Sequence, residues 1–147
     1  INFRCMRQPM PIDIHWPVPG RVMYVQTGRV IETDDVLAIN RQMLRALEKA
    51  TPAAPVHLLG NATQLETLDV VVPTGIRAST YLGHPATGCV SLYGLTGMSR
   101  VLVKLTVQLS SAFTVYPVTL NTDYTAAAQQ IRRVDPTLPL PHDDPFV

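Results

Sequence analysis

Residues 90–104, VSLYGLTGMSRVLVK, change period midway: an apolar run suited to a buried strand stops at Gly94-Leu95-Thr96-Gly97, and a helical pattern begins beyond it. Strand, glycine turn and helix make one βα unit. A chain that repeats this unit has to lay its strands side by side in a largely parallel sheet, with helices covering it. The spacing predicts a strand over about 89–93 and a helix over about 98–113, with Val101, Leu102, Leu105, Leu109 and Phe113 as its broad apolar face.

The unit recurs along the chain. In the N-terminal part, PIDIHW alternates apolar and polar residues, PVPG is turn chemistry, and RVMYVQTGRV is rich in β-branched and aromatic residues, which together predict two antiparallel strands. Thr33 offers an N-cap oxygen, Asp34 and Asp35 suit the positive end of a helix, and Val36, Ile39, Met43, Leu44 and Leu47 form one stripe of a helix running to about Ala50. TPAAP ends that helix, and VHLLG is a short buried strand. Residues 61–73, NATQLETLDVVVP, read mostly as loop. Pro73 suits the first turn of a helix over about 74–82, which Gly83 and Pro85 close. TVYPVTLN supplies a last strand, and Asp123 caps a helix over 124–134.

The order ββαβαβαβα implies an α/β fold in a single domain over 11–134: one mixed, mostly parallel five-stranded sheet with four main helices and right-handed crossovers. Its 147 residues suit one core. Residues 1–10 lack periodicity and read as an N-terminal extension, with Met10 as an alternative start; the proline-rich tail 135–147 reads as an extended or disordered end.

Charge and composition exclude several classes. Twelve basic and eleven acidic side chains leave a net charge of +1, with Lys and Arg scattered except at Arg132-Arg133, so there is no footprint for nucleic acid or an anionic membrane. Apolar windows fall well short of the roughly 20 residues of a membrane span, and the expected location is cytoplasmic. Cys5 and Cys89 read as reduced thiols. His15, His57, His84 and His142 share no ligand spacing, so no metal is expected and each suits a solvent-facing or turn position. Asp34 and Asp35 are adjacent and point apart, which does not suit a paired acid and base. No nucleophile elbow and no cofactor fingerprint occur, so no catalytic residue and no cofactor are assigned, and the chain is expected to act by binding.

The glycine turn is tested against phosphate chemistry in the same way. GLTGMSR has two residues between its glycines and no lysine after them, unlike a Walker loop, and the three spaced glycines of a dinucleotide site are absent. Gly94 and Gly97 permit a tight turn and Thr96 or Ser99 suits a cap; the other reading is a small anion at the helix N-terminus with Arg100 as the nearest cation.

The hairpin, the helix after RVIETDD, the TGIRASTYL helix, and the GCVSLYGLTGMSRVLVKL and VYPVTLNTDYTAAAQQI units together resemble the STAS-like (SpoIIAA-like) family of bacterial anti-sigma-factor antagonists, in particular its divergent stand-alone members. The resemblance spans Pro11 to Val134 in element order. It implies a non-catalytic regulatory or scaffold module that binds a protein partner. In the antagonist branch the second helix opens with Asp-Ser-Ser-Gly, whose hydroxyl before the glycine is phosphorylated. Val72-Pro73-Thr74-Gly75 matches that position here, which makes Thr74 a candidate phosphoacceptor, although Val72 and Pro73 replace the acid and the first serine. As a residue alone, Thr74 suits a helix cap or first turn.

Two readings follow. One is partner binding, by another protein or a second copy of the chain, through a loop surface that includes Asn61, Thr63, Gly75, Gly94, Thr96, Gly97, Ser99 and Arg100. The alternative is a small anionic or lipid-like ligand in the crevice beyond the carboxyl ends of the strands. A deep apolar pocket near Leu65, Leu68 and Val70 would favour the ligand, and a shallow surface with an exposed apolar patch would favour the partner.

Overall fold

β-branched and aromatic residues build the first two strands, β1 (Ile12–Val18) and β2 (Val22–Thr27), which pair antiparallel across a turn at Gly20. This computed structural model describes residues 12–111 and 114–145; the extension at 1–10, Cys5 and Phe113 lie outside them. The chain continues through β3 (Val30–Glu32), α1 (Thr33–Leu47), β4 (Val56–Asn61), β5 (Thr67–Asp69) and α2 (Val72–Arg77). A 3-10 turn (Thr80–Gly83) then leads to β6 (Thr87–Tyr93), α3 (Gly97–Ser110), β7 (Val118–Asn121) and α4 (Tyr124–Val134). The five-stranded sheet has the order β1-β2-β4-β6-β7, antiparallel only at its first pair, as the βα repeats require. Among the described residues, no helix is long and apolar enough to cross a membrane.

Alternation along the strands sends side chains to two faces. Val22, Tyr24, Leu59, Cys89 and Tyr93 pack under α4 with Ala127, Ala128 and Ile131. Met23, Val25, Val56, Leu58 and Val90 pack on the opposite face with Met43 and Leu47 of α1. Met43 and Leu47 are almost wholly buried, worth about 1.5–3 kcal/mol each. Asp123 caps α4 by accepting the Ala126 amide at 2.9 Å.

Four local readings of the sequence are corrected. Residues 61–73 are not mostly loop: β5 pairs in parallel with β3 in a second, two-stranded sheet. Three-residue strands carry no readable period. The helix expected over 74–82 is instead the six-residue α2 and a separate 3-10 turn. Asn40 of α1 intervenes there, its Oδ1 accepting the Tyr81 amide at 2.9 Å while its amide donates to Thr80 Oγ1 at 3.0 Å. The N-cap of α1 is Glu32, one residue before Thr33; the Glu32 amide donates to Asp35 Oδ2 at 2.8 Å. In α3 the apolar face read from the sequence is turned outward, since Val101, Leu105 and Leu109 are exposed.

The tail opens with a turn closed by the Leu138 amide donating to the Asp135 carbonyl at 3.3 Å, and it packs on the α4 face. Leu138 and Leu140 join the core there, and Arg132 and Tyr124 donate to the Pro141 carbonyl at 2.6 and 2.7 Å. At its start Asp135 pairs with Arg21, beside His57.

His57 is fully buried, against the expectation of an exposed or turn position. Its Nδ1 accepts the Cys89 amide at 2.9 Å, and the ring lies so close over Gly88 that a Cβ there would stand 2.3 Å from Nδ1. Burial holds the imidazole below its ordinary pKa of 6.5, outweighing Asp135, whose Oδ2 is 3.7 Å from Nε2, and Arg21 acts in the same direction as burial. Below that pH the unfolded chain takes up a proton that the folded chain refuses, so stability falls as pH drops. Urea unfolding is expected to show this loss beginning near pH 6.5. His57→Gln, less stable at neutral pH, is expected to lose less over the same interval; an unchanged slope would assign the loss to another group.

Candidate functional site

The inward residues of α3 are short. Ser99 and Ser110 are buried, and Val103, Thr106 and Val107 are half-buried, whereas Met98, Val101, Leu105 and Leu109 are 70%, 59%, 44% and 55% exposed. Close-packed interiors fill the space between a helix and its sheet with side chains. Here the gap stays open. A cavity of about 190 Å³ lies between the sheet and the helices on this face.

Its floor is Val25 and Thr27 of β2, Leu58 and Gly60 of β4, and Val90 and Leu92 of β6. Val36 and Ile39 of α1, Val72 and Gly75 of α2, and Val103 and Val107 of α3 form the roof, and Leu65, Leu68 and Val70 close one side. Among the described residues, no charged side chain is part of the wall. The α3 hydroxyls on it are satisfied within the helix: Thr106 donates to the Leu102 carbonyl at 2.9 Å and Ser110 to the Thr106 carbonyl at 2.8 Å. Thr27 differs. Its residue is 7% exposed and its Oγ1 is buried without a hydrogen-bond partner.

A polar cluster occupies the other face, near the carboxyl ends of β4 and β6. Tyr93 donates to Asp144 Oδ2 at 2.5 Å, the Tyr24 and Tyr93 hydroxyls are 2.7 Å apart, and Tyr24 also reaches Asp144 Oδ1 at 3.1 Å. Asn61 donates to the Tyr24 hydroxyl at 3.0 Å and accepts from the Thr63 amide and hydroxyl at 3.0 and 2.7 Å. Burial pushes the Tyr24 phenol up to about 12 and the Tyr93 phenol further in the same direction, so both stay protonated and serve as donors to the tail carboxylate. The cluster fastens the tail. Burial also pushes the Cys89 thiol up to about 11, which keeps it from forming a nucleophilic thiolate at neutral pH. Among the described residues, no group of three or more His, Cys, Asp and Glu side chains could hold a metal ion.

The structure gathers some of the residues singled out in the sequence. Asn61, Thr63 and Gly94 meet: Gly94 has φ +83°, and a Cβ on it would lie 2.8 Å from the Thr63 amide nitrogen, so glycine is required both by conformation and by close approach. Gly97 also has positive φ, and Thr96 is the N-cap of α3 by backbone position, without a side-chain cap bond. Ser99 turns inward while Arg100 is exposed, so the hydroxyl and the cation do not face one point. Thr74 lies half-buried in the first turn of α2 and is not part of the cavity wall, whereas Gly75 is. Thr27, Tyr24, Tyr93 and Asp144 are absent from the sequence reading. Only the polar Thr27 closing an apolar alternation, Met23, Val25, Thr27, could have drawn notice.

The fold is the STAS fold. The chain is similar in structure to the anti-sigma factor antagonist SpoIIAA in its unphosphorylated form, with a TM-score of 0.53 and 12% sequence identity over 86% of this chain and 98% of that one. No family model and no curated protein sequence matches the chain.

Proposed function

We propose that the protein is a non-catalytic regulatory module that works by binding, and that it holds a small lipid-like molecule in the cavity beneath α3. The observation that carries this reading is the cavity itself, about 190 Å³ and walled largely by aliphatic side chains. An enclosed apolar cavity of about 150 Å³ takes up benzene, and this one, partly open to solvent, has room for a ring of similar size. Of the two ligand chemistries drawn from the sequence, the lipid-like one fits this wall better than the anionic one, since no cation among the described residues lines it. A regulatory role is supported by the fold, which the anti-sigma factor antagonist SpoIIAA also uses.

Titration with methylcyclohexane, followed by methyl NMR, is expected to give saturable shifts at Leu58, Leu92 and Val103. Val103→Phe places a ring in the cavity and is expected to weaken binding at least about tenfold without lowering the melting temperature, since the added apolar volume enters a void. Absence of saturable shifts in the wild-type protein would contradict the reading.

A second reading, partner binding, is favoured by the exposed strip of Met98, Val101, Leu105 and Leu109. Arg100 and Lys104 lie on the same helix, which has no acidic residue, so a partner with an acidic rim suits it. Thr74, on the neighbouring α2, is the candidate phosphoacceptor that would regulate such a contact. Partners retained in a pull-down are expected to be lost with Leu105→Glu and kept with Val103→Phe; retention unaffected by Leu105→Glu removes this reading.

A further inference from the structure

We infer that the cavity ligand is a neutral molecule with one acceptor oxygen, as in a ketone, on an otherwise apolar body, and that the Tyr81 hydroxyl recognises it by donating a hydrogen bond to that oxygen. This rests on the ligand reading above and specifies its chemistry.

Five wall residues carry a hydroxyl: Thr27, Ser79, Tyr81, Thr106 and Ser110. Thr106 and Ser110 donate to carbonyls of their own helix. Thr27 Oγ1 is sealed off from the space, and Ser79 is only half-buried, where bulk water can serve it. Tyr81 differs from all four. Its residue is 7% exposed, and no described residue bonds to its hydroxyl. Burial alone pushes this phenol above its ordinary pKa of 10, with no hydrogen bond and no charge contributing, so the oxygen lies deep in the protein. Yet it is not sealed as Thr27 Oγ1 is, being absent from the buried polar atoms that lack both surface and partner. A deep oxygen that retains surface faces an internal space, and the cavity that Tyr81 lines is that space.

The backbone of Tyr81 is fixed from two other elements. Asn40 Oδ1 of α1 accepts the Tyr81 amide at 2.9 Å, and the Tyr81 carbonyl accepts from Thr87 Oγ1 of β6 at 2.5 Å. The hydroxyl is thus carried on a residue already held in place, which lowers the cost of binding. Phenylalanine would fill the same space with no polar atom to satisfy. A water at the hydroxyl needs about three hydrogen bonds to be held, whereas an acceptor on an apolar ligand needs only the one that Tyr81 supplies. A carboxylate would accept too, but it would lose its hydration against a wall that has no cation among the described residues.

Methylcyclohexane and cyclohexanone, close in size, are titrated into the wild-type chain and into Tyr81→Phe, and each affinity is read from methyl NMR shifts. Comparing the two proteins for one probe cancels that probe's own cost of leaving water. Tyr81→Phe is expected to weaken cyclohexanone about fivefold or more, as loss of one hydrogen bond does, and to leave methylcyclohexane within about twofold, its contacts there being apolar. The carbonyl stretch of bound cyclohexanone is expected at lower frequency on the wild-type chain than on Tyr81→Phe, a difference that a merely structural role would not produce. Ligand-free Tyr81→Phe is expected to melt no lower than wild type.

If Tyr81→Phe changes both affinities alike, or leaves the carbonyl stretch where it was, Tyr81 does not recognise the oxygen and this inference fails while the ligand reading stands. A lower melting temperature for Tyr81→Phe would show that the hydroxyl has a partner in the empty fold, with the same consequence. If neither probe binds the wild-type chain, the ligand reading fails and takes this inference with it.

Discussion

The side chains that α3 turns toward the sheet are short, and the character of this face of the molecule follows from that. Ser99, Val103, Thr106, Val107 and Ser110 are among the more buried residues of α3, and the last four line the cavity together with Leu58, Val90 and Leu92. Packed interiors ordinarily leave few voids larger than a water molecule. A cavity of about 190 Å³ between α3 and the sheet means that the short inward side chains of this helix leave space unfilled. Its longer side chains, Met98, Leu105 and Leu109, are left in solvent. Cavity and exposed strip thus have one cause.

The opposite face shows the alternative outcome. Ala127 and Ala128 are fully buried, and their small size lets α4 come so close that Ser91 Oγ donates directly to the Ala127 carbonyl at 2.8 Å. Leu138 and Leu140 of the tail fill the space that remains, while Asp135 and Asp144 fasten the tail near opposite ends of the strands. One face is closed by alanines and a tail, the other is roofed by α3 with space beneath it.

The elements that follow a strong period were legible in the sequence. The hairpin, the parallel βα units, the Asp123 cap and the turn at Gly94 follow from alternation, heptad-like spacing and turn chemistry, which act locally. What depends on tertiary geometry was not legible. The α3 segment contains two apolar stripes, Val103 with Val107 and Val101 with Leu105 and Leu109, and periodicity alone favours the longer side chains for the core, the reverse of what occurs. The burial of His57 needs Gly88 beneath it, 31 residues later in the chain. Proline correctly ruled out helix in the tail, yet it carried no signal that Leu138 and Leu140 would find a core. The apolar residues Leu65, Leu68 and Val70 are legible as a possible wall, whereas the lining that β2, β4 and β6 supply depends on a strand pairing that sequence alone does not give.

Xenon in a pressurised crystal tests the central claim most directly, because it occupies dry apolar cavities and requires no polar recognition. The account predicts a xenon peak bounded by Leu58, Leu92 and Val103, with Leu105 and Leu109 still facing solvent. It is contradicted if the site holds no xenon and α3 is instead rotated, with Leu105 and Leu109 packed down onto Leu92.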